Sequence, residues 1–148
     1  MTNFDEILDF AIDNEQKAHD LYVGIAEQAR RPGMRKAFME FAAEEIKHRE
    51  KLEAVKAGER PQLSTEKIET LGITETLVEI DPDPGLDYQD ALLFAMKAEQ
   101  RAHDLYIGLA QAMDDPGLRS LFRGLAHEEL KHKLFFEREY DDVILEGN

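Results

Sequence analysis

Apolar residues recur at steps of three and four along two long stretches of the chain, and this spacing predicts amphipathic helices. The first stretch carries Phe4, Leu8 and Tyr22 and is followed by the helix-breaking pair Pro32-Gly33. A second helix then contains Phe38, Phe41 and Leu52, and both patterns return in the second half of the chain. The sequence therefore predicts four helices of roughly 24–28 residues, each near 40 Å long at about 1.5 Å per residue.

The second half of the chain repeats the first with a shift of 84 residues. Residues 3–53 align with 87–137 without a gap, and 22 of these 51 positions are identical. The motif EQKAHDLY recurs as EQRAHDLY, and EEIKH recurs as EELKH. The repeat predicts two helical hairpins, 3–57 and 87–140, within a single domain that spans the whole chain.

The hairpins are joined by a long crossover, residues 58–86. Fully extended, this segment spans roughly 90 Å, which is enough to return along a 40 Å bundle. We expect a short helix at Ser64–Leu71 and an extended segment at Leu77–Ile80. Two tight hairpins joined by one long crossover define an all-α four-helix bundle. The same length of crossover leaves domain swapping between two chains open as an alternative.

The composition of the chain excludes several classes of function. The chain has 32 acidic and 18 basic residues, and its formal charge of −14 excludes general nucleic-acid binding and argues against docking on anionic membranes. It has no cysteine, which excludes disulfides and thiolate metal sites. The longest uncharged apolar run, Ala91–Met96, is too short to span a bilayer. Because residues 1–6 lack the pattern of a signal peptide, the expected location is cytoplasmic.

Four glutamates and two histidines lie on the apolar stripes of the predicted helices. At about 100° per residue, Glu15 falls at the centre of the stripe formed by Leu8 and Tyr22. The full set is Glu15, Glu45, His48, Glu99, Glu129 and His132. An unpaired buried carboxylate is destabilising by several kcal/mol, and these stripes contain no lysine or arginine. Two divalent cations would neutralise the four carboxylates, and two neutral imidazoles would complete the ligand set.

The spacing Glu-x-x-His places an oxygen and a nitrogen ligand on one face of a helix. One such motif is weak evidence for a metal site, but two copies, each preceded 30 residues earlier by a buried glutamate, are far more specific. Oxygen-rich ligation with two imidazoles favours iron or manganese over zinc, which prefers fewer, tetrahedral ligands.

The pattern Glu-x-x-Ala-x-x-x-Tyr followed by Glu-Glu-x-x-His occurs twice and resembles the rubrerythrin branch of the ferritin-like superfamily, over about residues 3–140. The resemblance implies a ferritin-like four-helix bundle with a non-haem di-iron centre. It implies Glu15 and Glu99 as terminal ligands, Glu45 and Glu129 as bridges, and His48 and His132 as nitrogen ligands. It further implies an oxidoreductase that reduces hydrogen peroxide or dioxygen, cycles between diferrous and diferric states, and protects against oxidative stress. Manganese or a mixed metal pair remains open.

The sequence departs from this family pattern in two respects. The cysteines of a rubredoxin module are absent, so the implied electron donor is a separate rubredoxin-like protein or a flavoprotein. Ala102 stands where rubrerythrins have a further glutamate that is associated with efficient peroxidase chemistry. The alternative function is therefore a ferritin-like iron-binding ferroxidase that sequesters iron without a dedicated peroxidase role. The expected assembly is a homodimer, with domain swapping open.

Some neighbouring residues have more than one interpretation. Tyr22 and Tyr106 either donate a hydrogen bond to a ligand carboxylate, or act as protective electron donors, or are aromatic core residues. Glu44 and Glu128 either accept the outer imidazole proton of His132 and His48 or are solvated surface charges, and we favour the surface interpretation. The acidic run Glu137–Asp142 is expected to be a solvated helix end.

Overall fold

The protein is described by a computed structural model that covers residues 3–58, 63–83 and 85–147. No β-strand occurs in this part of the chain. The helices are α1 (Phe4–Gln28), α2 (Pro32–Ala57), α3 (Thr65–Thr70), α4 (Tyr88–Ala112) and α5 (Pro116–Gly147), with a 3-10 turn at Thr74–Thr76. The predicted all-α bundle of four long helices is confirmed, and the short crossover helix lies where it was expected.

The long helices begin where the sequence indicates. Asn3, Asp87 and Asp115 each accept a hydrogen bond from the backbone N–H three residues ahead, at 2.8–2.9 Å. These side chains satisfy amide groups that the first helical turn leaves unpaired. Pro32 occupies the first position of α2, and Pro116 that of α5, where a missing N–H has no consequence.

The last helix is longer than predicted: α5 has 32 residues, whereas the sequence predicted 24–28. Its C-terminal part keeps the helical spacing of apolar residues, since Phe136, Tyr140 and Val143 all belong to or pack against one cluster. No proline occurs in that stretch, so nothing in the sequence ends the helix at residue 140.

The expectation that Glu137–Asp142 is a solvated end is wrong at Glu139, which is only 4% exposed. Tyr88 Oη donates a hydrogen bond of 2.6 Å to Glu139 Oε2, and Arg31 donates to Oε1 of the same carboxylate. The buried carboxylate is thus paired with a cation whose own side chain is 48% exposed. This carboxylate connects the loop after α1, the start of α4 and the end of α5.

The core consists of two apolar clusters separated by a polar layer. The first cluster includes Leu8, Leu52, Leu109 and Phe122. The second includes Tyr22, Phe38, Leu92 and Phe136. On α1, for example, Ala11 belongs to the first cluster and Ala18 to the second, with Glu15 between them. The clusters pack the four helices together on both sides of the carboxylates.

The crossover packs along α4 through Ile73, which is fully buried. It follows Gly72, whose φ of +68° is a conformation that glycine adopts at no steric cost. A Cβ atom added at Gly108 would lie 3.0 Å from Ile73 Cγ1, whereas the repeat counterpart Gly24 has no atom within 4 Å of such a Cβ. Gly108 therefore permits the close approach of the crossover to α4.

This difference gives a matched pair of variants. Gly24→Ala is expected to raise the free energy of unfolding by about 0.5–1 kcal/mol, because alanine favours the helix. Gly108→Ala is expected to lower the free energy of unfolding by about 1 kcal/mol relative to the wild type, because Ile73 has to move and this cost exceeds the helical preference of alanine. Urea unfolding followed by circular dichroism measures both. Equal stabilisation by the two variants would contradict the close packing of Ile73 on α4.

None of the helices in the described residues combines the length and apolar character that a membrane span requires.

Candidate metal centre

The structure brings together all six residues that the sequence singled out. Each is at most 3% exposed. Glu15 lies on α1, Glu45 and His48 on α2, Glu99 on α4, and Glu129 and His132 on α5. The polar layer between the two apolar clusters is therefore built from side chains of all four long helices.

The six side chains form two overlapping groups of four. The first group is Glu15, Glu45, His48 and Glu129, and the second is Glu45, Glu99, Glu129 and His132. In each group, one ligand atom per residue lies within 4.8 Å of the others. Glu45 and Glu129 belong to both groups, whereas the other four residues belong to one each. This sharing is the arrangement expected of two cation positions with two bridging carboxylates.

Both histidines point Nδ1 towards the carboxylates. His48 Nδ1 lies 2.7 Å from Glu129 Oε1, and His132 Nδ1 lies 2.9 Å from Glu45 Oε1. The two rings are nearly parallel, with centroids 6.3 Å apart. Each histidine thus approaches the shared carboxylate of the opposite hairpin, as the sequence repeat implies.

The outer Nε2 atoms of both histidines are bonded across the seam between α2 and α5. His48 Nε2 bonds to Glu128, and His132 Nε2 bonds to Glu44. The side chains of these glutamates are 41% and 44% exposed. Our preference for a pure surface role was therefore wrong, although both carboxylates do reach solvent. An acceptor at Nε2 directs the lone pair of Nδ1 inward, which is the tautomer a metal ligand needs.

The two tyrosines differ, although they occupy equivalent positions in the repeat. Tyr106 Oη donates a hydrogen bond to Glu15 Oε1, which matches the interpretation as a carboxylate partner. Tyr22 is fully buried against Phe136, and its hydroxyl has no hydrogen-bond partner in the described residues. In this structure Tyr22 therefore matches the aromatic-core interpretation.

The electrostatics of the cluster divide the carboxyl groups into two kinds. Burial raises the pKa of Glu45 and Glu99 well above the ordinary value, and neighbouring carboxylates raise it further. Burial also acts to raise the pKa of Glu129, but contact with His48 outweighs it and leaves that pKa lowered. For His48, burial acts to lower the pKa, but the surrounding carboxylates outweigh it and raise the pKa. The metal-free cluster therefore favours proton binding at Glu45, Glu99 and His48 more strongly than solvent does.

The donor set fits divalent cations. Oε2 atoms of Glu15, Glu45 and Glu99 are buried and have no hydrogen-bond partner in the described residues. No lysine or arginine forms an ion pair with the four carboxylates within that part of the chain. Buried oxygen atoms without partners are costly unless a cation binds them. With four carboxylates, two imidazoles and no thiolate, the donor set of the cluster suits a hard or borderline metal ion.

Comparisons with known proteins show the family of this chain and a similar fold. The sequence model described as "Rubrerythrin" matches residues 6–140, so the chain belongs to the rubrerythrin family of the ferritin-like di-iron superfamily. Among solved structures, a hypothetical protein from Pyrococcus furiosus is similar to this chain with a TM-score of 0.73. The two are 24% identical over 97% of this chain and 91% of that one, which shows a shared fold. A comparison with curated protein sequences gives no match.

Sequence reasoning missed the part that the crossover plays at the centre. A cavity of about 20 Å³ lies beside the four carboxylates, and its wall includes Asn14, Thr76 and Val78. The signal in the sequence was weak, because Asn14 in α1 corresponds to Ala98 in α4 and this is one of 29 positions at which the two copies differ.

Proposed function

We propose that this protein is a non-haem di-iron oxidoreductase that reduces hydrogen peroxide or dioxygen with oxidation of Fe(II), and so protects against oxidative stress. The observation that carries the proposal is the pair of overlapping four-residue groups that share Glu45 and Glu129. Two cation positions this close allow two electrons to reach one oxidant. The family supports the same class of chemistry.

Iron is the metal we propose for both positions. The donors are oxygen and imidazole nitrogen without thiolate, which suits iron or manganese. Glu45 and Glu129 would bridge the two ions, Glu15 and Glu99 would bind one ion each, and the histidines would each add one nitrogen. Manganese or a mixed pair would use the same donors. The preference for iron therefore rests only on membership of the family.

When bound, the two ions would supply redox chemistry by alternating between the ferrous and ferric states. The chain's own residues hold the ligand side chains in place and enclose them between apolar clusters. Glu44 and Glu128 fix the imidazole rings, Tyr106 orients Glu15, and the apolar clusters exclude water from both ends. Because the ligands are already assembled, little reorganisation is needed when the metal binds.

The electrons are proposed to come from a separate protein, either rubredoxin-like or a flavoprotein, because the chain contains no cysteine with which to bind an iron–sulfur centre. We further propose a homodimer. The long crossover between the hairpins makes a domain-swapped dimer an alternative form of the same assembly.

A second candidate function is iron sequestration by a ferroxidase without a dedicated peroxidase role. Ala102 favours it, because this residue lines the cavity beside Glu99 and offers no further carboxylate there. The remaining ligands are symmetric between the two repeats and suit simple oxidation of Fe(II).

Stopped-flow absorption distinguishes these functions. Protein loaded anaerobically with Fe(II) is mixed separately with hydrogen peroxide and with dioxygen, and Glu45→Ala serves as the control. We expect at least one oxidant to react about 100-fold faster with the wild type than with the control, since the shared ligand is missing there. Preference for peroxide supports the peroxidase, and preference for dioxygen supports the ferroxidase. Equal rates in wild type and control would rule out both functions.

A further inference from the structure

The cavity beside the carboxylates runs between α1, α4 and the crossover. Its lining includes Glu15, Glu45, Glu99 and Glu129 but neither histidine of the centre. The four carboxylates are at most 3% exposed and form its inner end. Its outer end is formed by residues that reach solvent, including the exposed Arg101 and the 45% exposed Val78. The cavity therefore leads from the surface to the carboxylate side of the candidate metal centre.

The crossover forms the roof of this cavity, and the side chain of Asn14 makes two hydrogen bonds to it. Asn14 Nδ2 donates to the carbonyl oxygen of Val78 at 3.1 Å, and Asn14 Oδ1 accepts from the backbone N–H of Ile80 at 3.3 Å. Ala98, the repeat counterpart of Asn14, lines the cavity and has no group that can make such bonds. Asn14 thus fixes the roof on one side, while the small side chains of Ala98 and Ala102 keep space beneath it.

The opposite side of the centre is closed. A groove between α2 and α5 leads towards His132, but the bonds from Glu44 to His132 and from Glu128 to His48 cross its floor. Phe41 also stacks on His132, with ring centroids 4.3 Å apart. A small molecule that approached from this groove would have to break these contacts before it reached the four buried carboxylates of the centre.

We propose that the cavity under the crossover is the port through which a small neutral oxidant reaches the centre, and that Asn14 and Ala102 set its size limit. The inference rests on the proposed function. A volume of about 20 Å³ holds one water-sized molecule. Dioxygen and hydrogen peroxide, with two heavy atoms each, pass with a small movement of the roof. A branched alkyl hydroperoxide does not.

The test uses three variants of the iron-loaded protein and three oxidants: hydrogen peroxide, dioxygen and tert-butyl hydroperoxide. Ala102→Leu fills the port, and Asn14→Ala releases the roof. Ala37→Leu is the matched control, because Ala37 is also a partly buried helical alanine but lines the groove between α2 and α5. Metal stoichiometry is measured for each variant before mixing.

Ala102→Leu is expected to slow oxidation by the two small oxidants about tenfold or more, with two irons still bound, while Ala37→Leu reacts as the wild type does. Asn14→Ala is expected to raise the rate with tert-butyl hydroperoxide relative to hydrogen peroxide by about tenfold. Two readouts do not depend on turnover. Azide should associate more slowly with oxidised Ala102→Leu, and the Ile80 amide should lose hydrogen-exchange protection in metal-free Asn14→Ala.

Slowing by Ala37→Leu instead of Ala102→Leu would overturn the port and assign access to the groove. Slower iron uptake by Ala102→Leu with unchanged oxidation and azide rates would also overturn it, since the cavity would then serve the metal rather than the oxidant. Failure of the proposed function has a different signature, in which the wild type reacts with none of the oxidants faster than Glu45→Ala does.

Discussion

Replacement of Glu129 by glutamine is expected to weaken iron binding at both positions by about 100-fold or more, because this carboxylate belongs to both four-residue groups. Glutamine keeps the volume and the packing of the side chain but removes the charge. Isothermal titration with Fe(II) under anaerobic conditions measures the stoichiometry and the affinity of each position. Glu45→Gln should behave in the same way.

The matched control is Glu15→Gln, because Glu15 belongs to only one of the two groups. This variant is expected to bind iron much more weakly at one position and to keep nearly the wild-type affinity at the other. Two sites of wild-type affinity in Glu129→Gln would refute the ligand assignment. Equal behaviour of Glu15→Gln and Glu129→Gln would refute the distinction between shared and unshared carboxylates.

Replacement of Glu99 by glutamine is expected to stabilise the metal-free protein and to destabilise the metal-loaded one. Without metal, the wild type buries a carboxyl group whose pKa burial raises, and a neutral amide of the same shape avoids that charge. The expected gain is about 1–4 kcal/mol near pH 8, and each kcal/mol is roughly 2–4 °C in Tm for a chain near this size. With metal, the same change removes a ligand, so binding stabilises the variant less.

The raised pKa values also predict how the stability of the metal-free protein changes with pH. A carboxyl group whose folded pKa lies above 4.5 contributes stability below pH 4.5 and loses it as the pH rises through the folded pKa. Glu45 and Glu99 therefore make the metal-free wild type less stable as the pH rises above 4.5 towards their folded pKa values. His48, whose pKa is also raised, acts in the same direction above pH 6.5.

Thermal unfolding in the presence of a chelator, at several pH values, measures this effect. The decline of Tm with rising pH should be smaller in Glu99→Gln than in the wild type. Glu129, whose pKa is lowered, loses its contribution only below pH 4.5 and does not affect this range. A parallel decline in both proteins, or a Glu99→Gln variant less stable than the wild type in chelator, would contradict the burial of an uncompensated carboxyl group.

The fold was predictable because its determinants are local. The apolar period, the caps and the proline positions each depend on residues within a few positions of one another, and the repeat shows the same determinants twice. The six residues of the centre were predictable for a related reason. A charged residue such as Glu15 on an apolar stripe needs an explanation whichever helix it faces.

The features that the sequence did not predict depend on distant partners. Glu139 is buried because of Tyr88 and Arg31, which are 51 and 108 residues away. Asn14 meets Val78 and Ile80 only because the crossover returns along α1. Neither set of contacts produces a periodic pattern in the sequence. The contacts of Glu139 and Asn14 are therefore visible only in the folded structure.

The two overlapping groups have a consequence for the order of events during assembly. Each group draws three residues from one hairpin and one shared carboxylate from the other. A bound cation is then a non-covalent cross-link between hairpins that the chain itself connects only through a long crossover. Metal binding would therefore preserve the pairing of hairpins that exists when the ions bind, whether the two hairpins belong to one chain or to two. Exchange between monomer and swapped dimer would be confined to the time before the metal arrives.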